Sequence, residues 1–323
     1  VVRLARQRKT RARKISYELQ PGRLGENLRR MFRWQIEGAL AVAKGGKEPD
    51  DTPVHAMRKH LKKARAVLHL VRERIGRAHF RQQDHCLRDV GRLISQNRDA
   101  EVRWQTMRQL EDVTHRHRQD AYGKLEVLLA FELENFVLAS AGWEKEAIPL
   151  LDQARNAMET WPIDNYNTRH LRRAVQRTYK SGRCALAVAK SKLSTGNLHE
   201  LRKQVKLLGY QLRMLRPLNE VVVGTLSDEL TELGDLLGCA HDLSFLAERL
   251  RVWRSDPDWR KQEDEILKMI ESTQAELQRD AAELAERFFG ERPSEFGSLL
   301  EEWFEEWPKA KSSSVAGALI TTI

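Results

Sequence analysis

The chain of 323 residues has little of what marks several large protein classes. It has only three cysteines, Cys86, Cys184 and Cys239, scattered and odd in number. They offer neither a disulfide framework nor a zinc spacing, and they read as ordinary core or surface residues in a reducing compartment. Aromatic residues make up 7% of the chain, and alternating Val, Ile and Thr are few, which argues against a large sheet. No run of eighteen apolar residues occurs, so no membrane-spanning helix and no membrane partner are expected. The opening VVRLARQRKTRARK has no apolar core of the kind a secretory signal carries, and the expected location is cytoplasmic. Gly-rich phosphate loops, nucleophile elbows and paired carboxylates are also missing.

Charge is what the chain has in quantity. Charged residues form 32% and hydrophobic ones 41%, as in a folded, helix-rich protein. The net charge is +10 and the isoelectric point about 9.6, which points to an acidic partner. Nucleic acid and inorganic polyanions both fit that balance.

Long segments carry helical periodicity and are broken by KGGKEPDDTP, TWPIDNYN near residue 163 and STGN at 194–197. Thr52 followed by Pro53 reads as an N-cap and first helical position, and Asn197 with Glu200 as a capping box. Both readings place a histidine, His55 or His199, in a first helical turn.

An internal repeat organises the whole. VHAMRKHLKKARAVLHLVR at 54–72 aligns without gaps to LHELRKQVKLLGYQLRMLR at 198–216, an offset of 199 − 55 = 144. LRR and LAVAK precede both copies, and DVGRLISQNRDAEV at 89–102 echoes ELGDLLGCAHDLSF at 232–245, matching Gly91 with Gly234 and Asp99 with Asp242. Three matched segments in one order indicate duplication. The expected fold is all-α, two pseudo-two-fold-related four-helix bundles at 21–162 and 163–308, with WPID at 161–164 as the joint. Residues 1–20 read as a basic arm and 309–323 as a flexible tail. Trp303 and Trp307, four residues apart, read as packing on a bundle.

Helical rotation sorts the repeated segments. His55, Arg58, Lys59, Lys62 and His69 fall within about 60° of one line, opposite Met57, Leu61, Val67, Leu68 and Val71. Arg65 continues that basic side. In the second copy His199, Arg202, Lys203, Lys206 and Arg213 share a face. A third helix over roughly 166–192 groups Arg169, Arg173, Lys180 and Arg183. A lone lysine-rich helix is usually a solvated surface. Three such faces, little interrupted by acids, favour an anionic ligand, because like charges a turn apart repel unless something offsets them. Arginine forks and lysine point charges suit repeated phosphates, whereas aromatic platforms for single strands and groove-reading motifs are not evident.

The paired segments VHAMRKHLKKAR and LHELRKQVK, the following RDAEV and HDLSF, and the run LRRAVQRTYKSGRCAL resemble the CHAD (conserved histidine α-helical) domain family. The resemblance spans roughly residues 22–290. It implies two pseudo-symmetric four-helix bundles whose basic residues line a channel for inorganic polyphosphate. It carries His55, Arg58, Lys59, Lys62, His199, Arg202, Lys203 and Lys206 over to the ligand surface. Gly209 and Leu207 stand where the first copy has Arg65 and Lys63, a departure from symmetry. Some family members add a triphosphate-tunnel domain marked by Glu-x-Glu-x-Lys. The nearest string here, ELENF at 132–136, has Phe136 in place of the lysine and reads as a solvated helix.

Metal chemistry has no spacing to support it. His115 and His117 point about 200° apart on a helix, and neither His55 with His60 nor His79 with Asp84 and His85 has the i, i+4 geometry of a helical zinc pair. The expectation is therefore a non-catalytic, cofactor-free polyphosphate-binding protein, directed to polyphosphate or its granules. A nucleic-acid-binding protein is the main alternative, and a polyphosphate-metabolising enzyme a further one.

Overall fold

The structure, a computed structural model, describes residues 17–46, 52–114, 120–253 and 260–316. Among these, every regular element is helical. The helices are α1 (Leu24–Ala43), α2 (Pro53–Ile75), α3 (Arg77–Leu93), α4 (Ser95–Thr114), α5 (Asp120–Ala139), α6 (Trp143–Glu159), α7 (Thr168–Ser191), α8 (Thr195–Leu215), α9 (Glu220–Trp253), α10 (Arg260–Phe288) and α11 (Pro293–Ala316). A short 3₁₀ turn, Arg216–Leu218, links α8 to α9.

Local chemistry sets the boundaries. Thr52 Oγ1 accepts from the His55 amide at 3.2 Å and Pro53 opens α2, as expected. Gly76, at φ +80°, turns α2 directly into α3, a conformation that glycine adopts without strain. The start of α8 differs from expectation. Ser194 is its N-cap, accepting from the Asn197 amide at 3.2 Å, while the Asn197 side chain donates to the Lys192 carbonyl at 2.7 Å. The helix thus starts at Thr195, and His199 falls past the first turn. Glu200 engages Lys203 and Gln204 and closes no capping box.

In the first half, α1 packs on α2 and α6, and α3 joins α2 to α6. In the second, α7 packs on α8 and α11, and α8 on α9. Met57, Leu61, Ala64, Val67, Leu68 and Val71 bury the apolar side of α2, and Leu201, Val205, Leu208 and Leu212 that of α8. Each large aliphatic contributes about 1.5–3 kcal/mol by leaving water. Leu68→Ala, at a fully buried position, removes that and adds a cavity term. The WPID joint is anchored at alternate residues: Trp161 packs on Phe32 at 4.8 Å and Ile163 is inaccessible, while the exposed Asp164 is held by Arg29 at 2.7 Å.

The hairpin α4–α5 turns away from the first-half core. With the far ends of α9 and α10 it forms a second apolar cluster around Met107, Leu129, Leu246, Leu250 and Ile270. Trp303 is buried as expected, whereas the side chain of Trp307 lies outside the described residues. α11 continues to Ala316, so the stretch read as tail from 309 is helical up to that point. The rest of that tail and residues 1–16 of the basic arm lie outside the described residues, as do His115 and His117.

Candidate functional site

α2 and α8 pack against each other, and their basic stripes meet there. The Lys62 ammonium stands in the field of Arg202, Arg58, Lys206 and Arg98. It keeps access to water although protein surrounds most of it. Burial first, and then those four cations, push it from 10.5 down to about 7. Burial also lowers the Arg58 guanidinium, which lies near Asp99, Arg98, Arg202 and Asp242. Arginine stays charged through such a shift. Asp99 is raised by burial, opposed by Arg58, Arg103, Arg98 and His241.

The wall facing Arg202 and Lys206 is α9, and glycine makes it. A Cβ on Gly238 would lie 3.3 Å from Arg202 Nη2, and one on Gly234 only 2.7 Å from Lys206 Cε. Gly234 and Gly238 are one turn apart, as are Arg202 and Lys206, so each long side chain lies over a gap in the α9 surface. Lys206 Nζ then donates to Asp235 Oδ1 at 2.8 Å. Arg98 pairs with Glu101 at 3.2 Å. Lys62 and Arg202 make no ion pair among the described residues, and the buried Nε of Arg202 has no hydrogen-bond partner. At the margin, His199 faces His241 with ring centroids 4.9 Å apart. Burial, then His241, Arg202 and Lys203, lowers His199 from the ordinary histidine value.

Of the residues singled out from the sequence, Arg58, Lys62, Arg202 and Lys206 come together, with His199 beside them. His55 and Lys59 are half-buried on the same helix. Others are engaged elsewhere. Lys203 pairs with Glu200 at 2.6 Å. Arg65 Nε donates to Asp84 at 2.7 Å, a carboxylate that Arg88 also holds at 2.9 Å. His69 lies edge-on to Phe80 at 5.0 Å, and burial pushes it down to about 4, so it carries no charge for a ligand. Arg213 sits over the Tyr210 ring at 5.6 Å.

The third basic face has varied surroundings. Arg183 donates to the carbonyls of Gly290 and Glu291, in the connection between α10 and α11. Arg169, Arg173 and Lys180 are exposed, and Lys180 lines a separate surface pocket of about 450 Å³ with Cys184 and Gln204. The α7 residue that reaches α2 is instead Arg177, paired with Glu73. The rotation angles were right, but the partners on neighbouring helices decide what each face does.

Sequence reasoning passed over Arg98, Asp99, His241 and Asp242 as site residues. The signal was present: Arg98–Asp99 and His241–Asp242 occupy matched positions in the third repeated segment. Among the described residues no group of three His, Cys, Asp or Glu side chains is placed to hold a metal, and no helix is long and apolar enough to cross a membrane.

Fold and site together define an all-helical protein in which both halves of the chain supply one basic cluster. A family model described as the CHAD domain matches residues 23–251, and the chain belongs to that family. Among solved structures, the crystal structure of the CHAD domain from the plant Ricinus communis superposes with a TM-score of 0.64. It is 18% identical, and the match covers 86% of this chain and 96% of that one. That likeness concerns the fold. No curated protein matches the chain.

Proposed function

We propose that the protein binds inorganic polyphosphate, without catalysis, in a channel between its halves where α2 and α8 meet. Binding of this kind brings the protein, and whatever travels with it, to polyphosphate or its granules. One observation carries the reading: Lys62 and Arg202 are held in mutual repulsion with Arg58 and Lys206 instead of being neutralised by acids. Such an arrangement costs free energy in the empty protein, and a chain of phosphates relieves it. The family and the fold support the same reading, and nucleic acid is the competitor that the charge alone would also admit.

The test is a titration with long-chain polyphosphate of the wild type and the Lys62→Gln, Arg202→Gln double variant. Each lost charge-assisted contact is worth about 1.5–3 kcal/mol, so affinity should fall about a hundredfold or more. Circular dichroism and thermal melting control for the fold. Polyphosphate should displace bound RNA at far lower concentration than the reverse. Unchanged affinity in the folded double variant overturns the site, preferential retention of RNA overturns the ligand, and chain shortening with a divalent metal overturns the absence of catalysis.

A further inference from the structure

The chain is pinned firmly before its first helix begins. Tyr17 and Leu19 are buried. The Leu19 amide donates to the Met214 carbonyl of α8 at 2.9 Å, and the Tyr17 hydroxyl to the Lys63 carbonyl of α2 at 3.1 Å. The Lys63 ammonium lies over the Tyr17 ring at 5.4 Å. Alongside, Arg30 donates to the Glu18 carbonyl at 2.8 Å, and Asn27 holds both the amide and the carbonyl of Gln20, at 2.8 and 3.0 Å. These contacts fix where the preceding residues join the fold. Lys63 follows Lys62 on α2. The Tyr17 phenol stands in the field of Tyr210, which lies one turn beyond Lys206 on α8 and in the field of Arg202. Residues 1–16 therefore join the fold beside the basic cluster, where α2 and α8 meet.

That segment also holds most of the chain's excess charge. Residues 3–14 include five arginines and two lysines, and residues 1–16 include no acid, so of the net +10 only +3 remains for everything after them (10 − 7 = 3). We infer that this segment is a second contact for polyphosphate, binding the stretch of phosphate chain that emerges from the α2–α8 cluster. The inference rests on the proposed function and adds to it a preference for long chains. Two like-charged elements joined side by side repel, and a linear polyanion that spans them relieves both. A flat anionic membrane would engage the segment alone and leave the cluster's repulsion in place. Because the segment is joined at Tyr17, its capture of a chain seated on Lys62 and Arg202 is intramolecular, at an effective concentration on the order of millimolar. Sixteen residues reach at most about 50 Å, enough to follow a phosphate chain past the cluster. A phosphate chain too short to leave the cluster gains nothing from it.

The test is titration of the whole chain with tripolyphosphate and with long-chain polyphosphate at several salt concentrations. The wild type is compared with an arm variant, in which the seven Lys and Arg of residues 1–16 are replaced by Gln, and with the Lys62→Gln, Arg202→Gln double variant. Thermal melting controls for the fold. The arm variant should bind long chains about tenfold or more weakly, with a shallower salt dependence, and tripolyphosphate as well as the wild type does. Replacing only Arg3, Arg6 and Arg8 should give part of that loss. Undiminished long-chain affinity in the arm variant, while the double variant loses it, overturns this inference and leaves the cluster as the site. An equal loss for both ligands also overturns it, because the segment then acts as general charge and not on the emerging chain. Long-chain binding that survives in the double variant, or is absent from the wild type, overturns the proposed site together with this inference. An arm variant that keeps its polyphosphate affinity but loses RNA or phosphatidylglycerol vesicles gives the segment to that surface instead.

Discussion

An ammonium pushed down toward neutral pH is a sensitive element in any site that recognises anions. Lys62 is held at about 7 by burial and by Arg202, Arg58, Lys206 and Arg98. A bound polyanion opposes both effects and raises that value, so binding near and above pH 7 takes up a proton. Polyphosphate affinity should therefore be highest below pH 7 and fall as pH rises past it, and Lys62→Met should flatten the profile. Calorimetry in buffers of different ionisation enthalpy reads the proton uptake directly. For the empty protein the expected trend is the opposite. Lys62 is depressed relative to the unfolded chain, so the unfolded state binds more protons between about pH 7 and 10.5, and stability rises with pH across that window. Thermal melts of the wild type against Lys62→Met should show the rise in the wild type only. None of this tuning is visible in a sequence. Periodicity places Lys62 on the basic side of α2, but the cations that lower it come from α4 and α8 as well as from its own helix.

At the scale of elements, the site depends on small residues as much as on charged ones. Gly234 and Gly238 are helix-interior glycines, each costing about 0.5–1 kcal/mol relative to alanine, and each leaves room for a basic side chain of α8. Gly234→Ala should raise the melting temperature through helix propensity, since the atoms it displaces are the flexible end of Lys206. It should also shift Lys206 away from Asp235 and change polyphosphate affinity severalfold. A variant that is more stable and binds differently separates the packing role of this glycine from a purely structural one, and thermal melting with titration reads both. The match of Gly91 with Gly234 was legible as a repeat, but its meaning was not. In the first copy a Cβ on Gly91 meets only Leu61 Cδ1, at 3.9 Å. The fold itself was largely legible, because apolar positions on α2 and α8 recur at 3.6-residue spacing and are the ones buried. The fate of Arg65, Arg183 and Arg213 was not. Asp84, the Gly290 carbonyl and the Tyr210 ring each engage one of them, and helical rotation alone does not reveal which groups stand opposite a cation.

At the scale of the whole molecule, one basic cluster drawn from α2, α4 and α8 makes ligand affinity and folding mutually dependent. The proposed ligand, bound across these elements, would favour the folded chain over the unfolded one, so the melting temperature should rise with polyphosphate concentration. The rise should shrink steeply as salt is added, because several cations displace counterions from one polyanion. A ligand-induced shift that is insensitive to salt would show that charge neutralisation is not the main source of affinity. The same scale explains what the duplication reading missed. It anticipated two equivalent bundles, whereas the α4–α5 hairpin packs with the far ends of α9 and α10 in a cluster of its own. In the first half the chain breaks at Ile94, between α3 and α4. In the second it runs unbroken through α9 for 34 residues, about 50 Å at 1.5 Å per residue. Leu230 and Leu233 anchor one end of that rod in the main core, and Leu246 and Leu250 anchor the other in the second cluster. Its thinnest stretch, Gly234 to Gly238, lies at midspan, under Arg202 and Lys206. Leu237, between the two glycines, is buried in the main core, so the rod is held at midspan as well as at its ends, and the proposed ligand would press Arg202 and Lys206 onto a wall already fixed from behind.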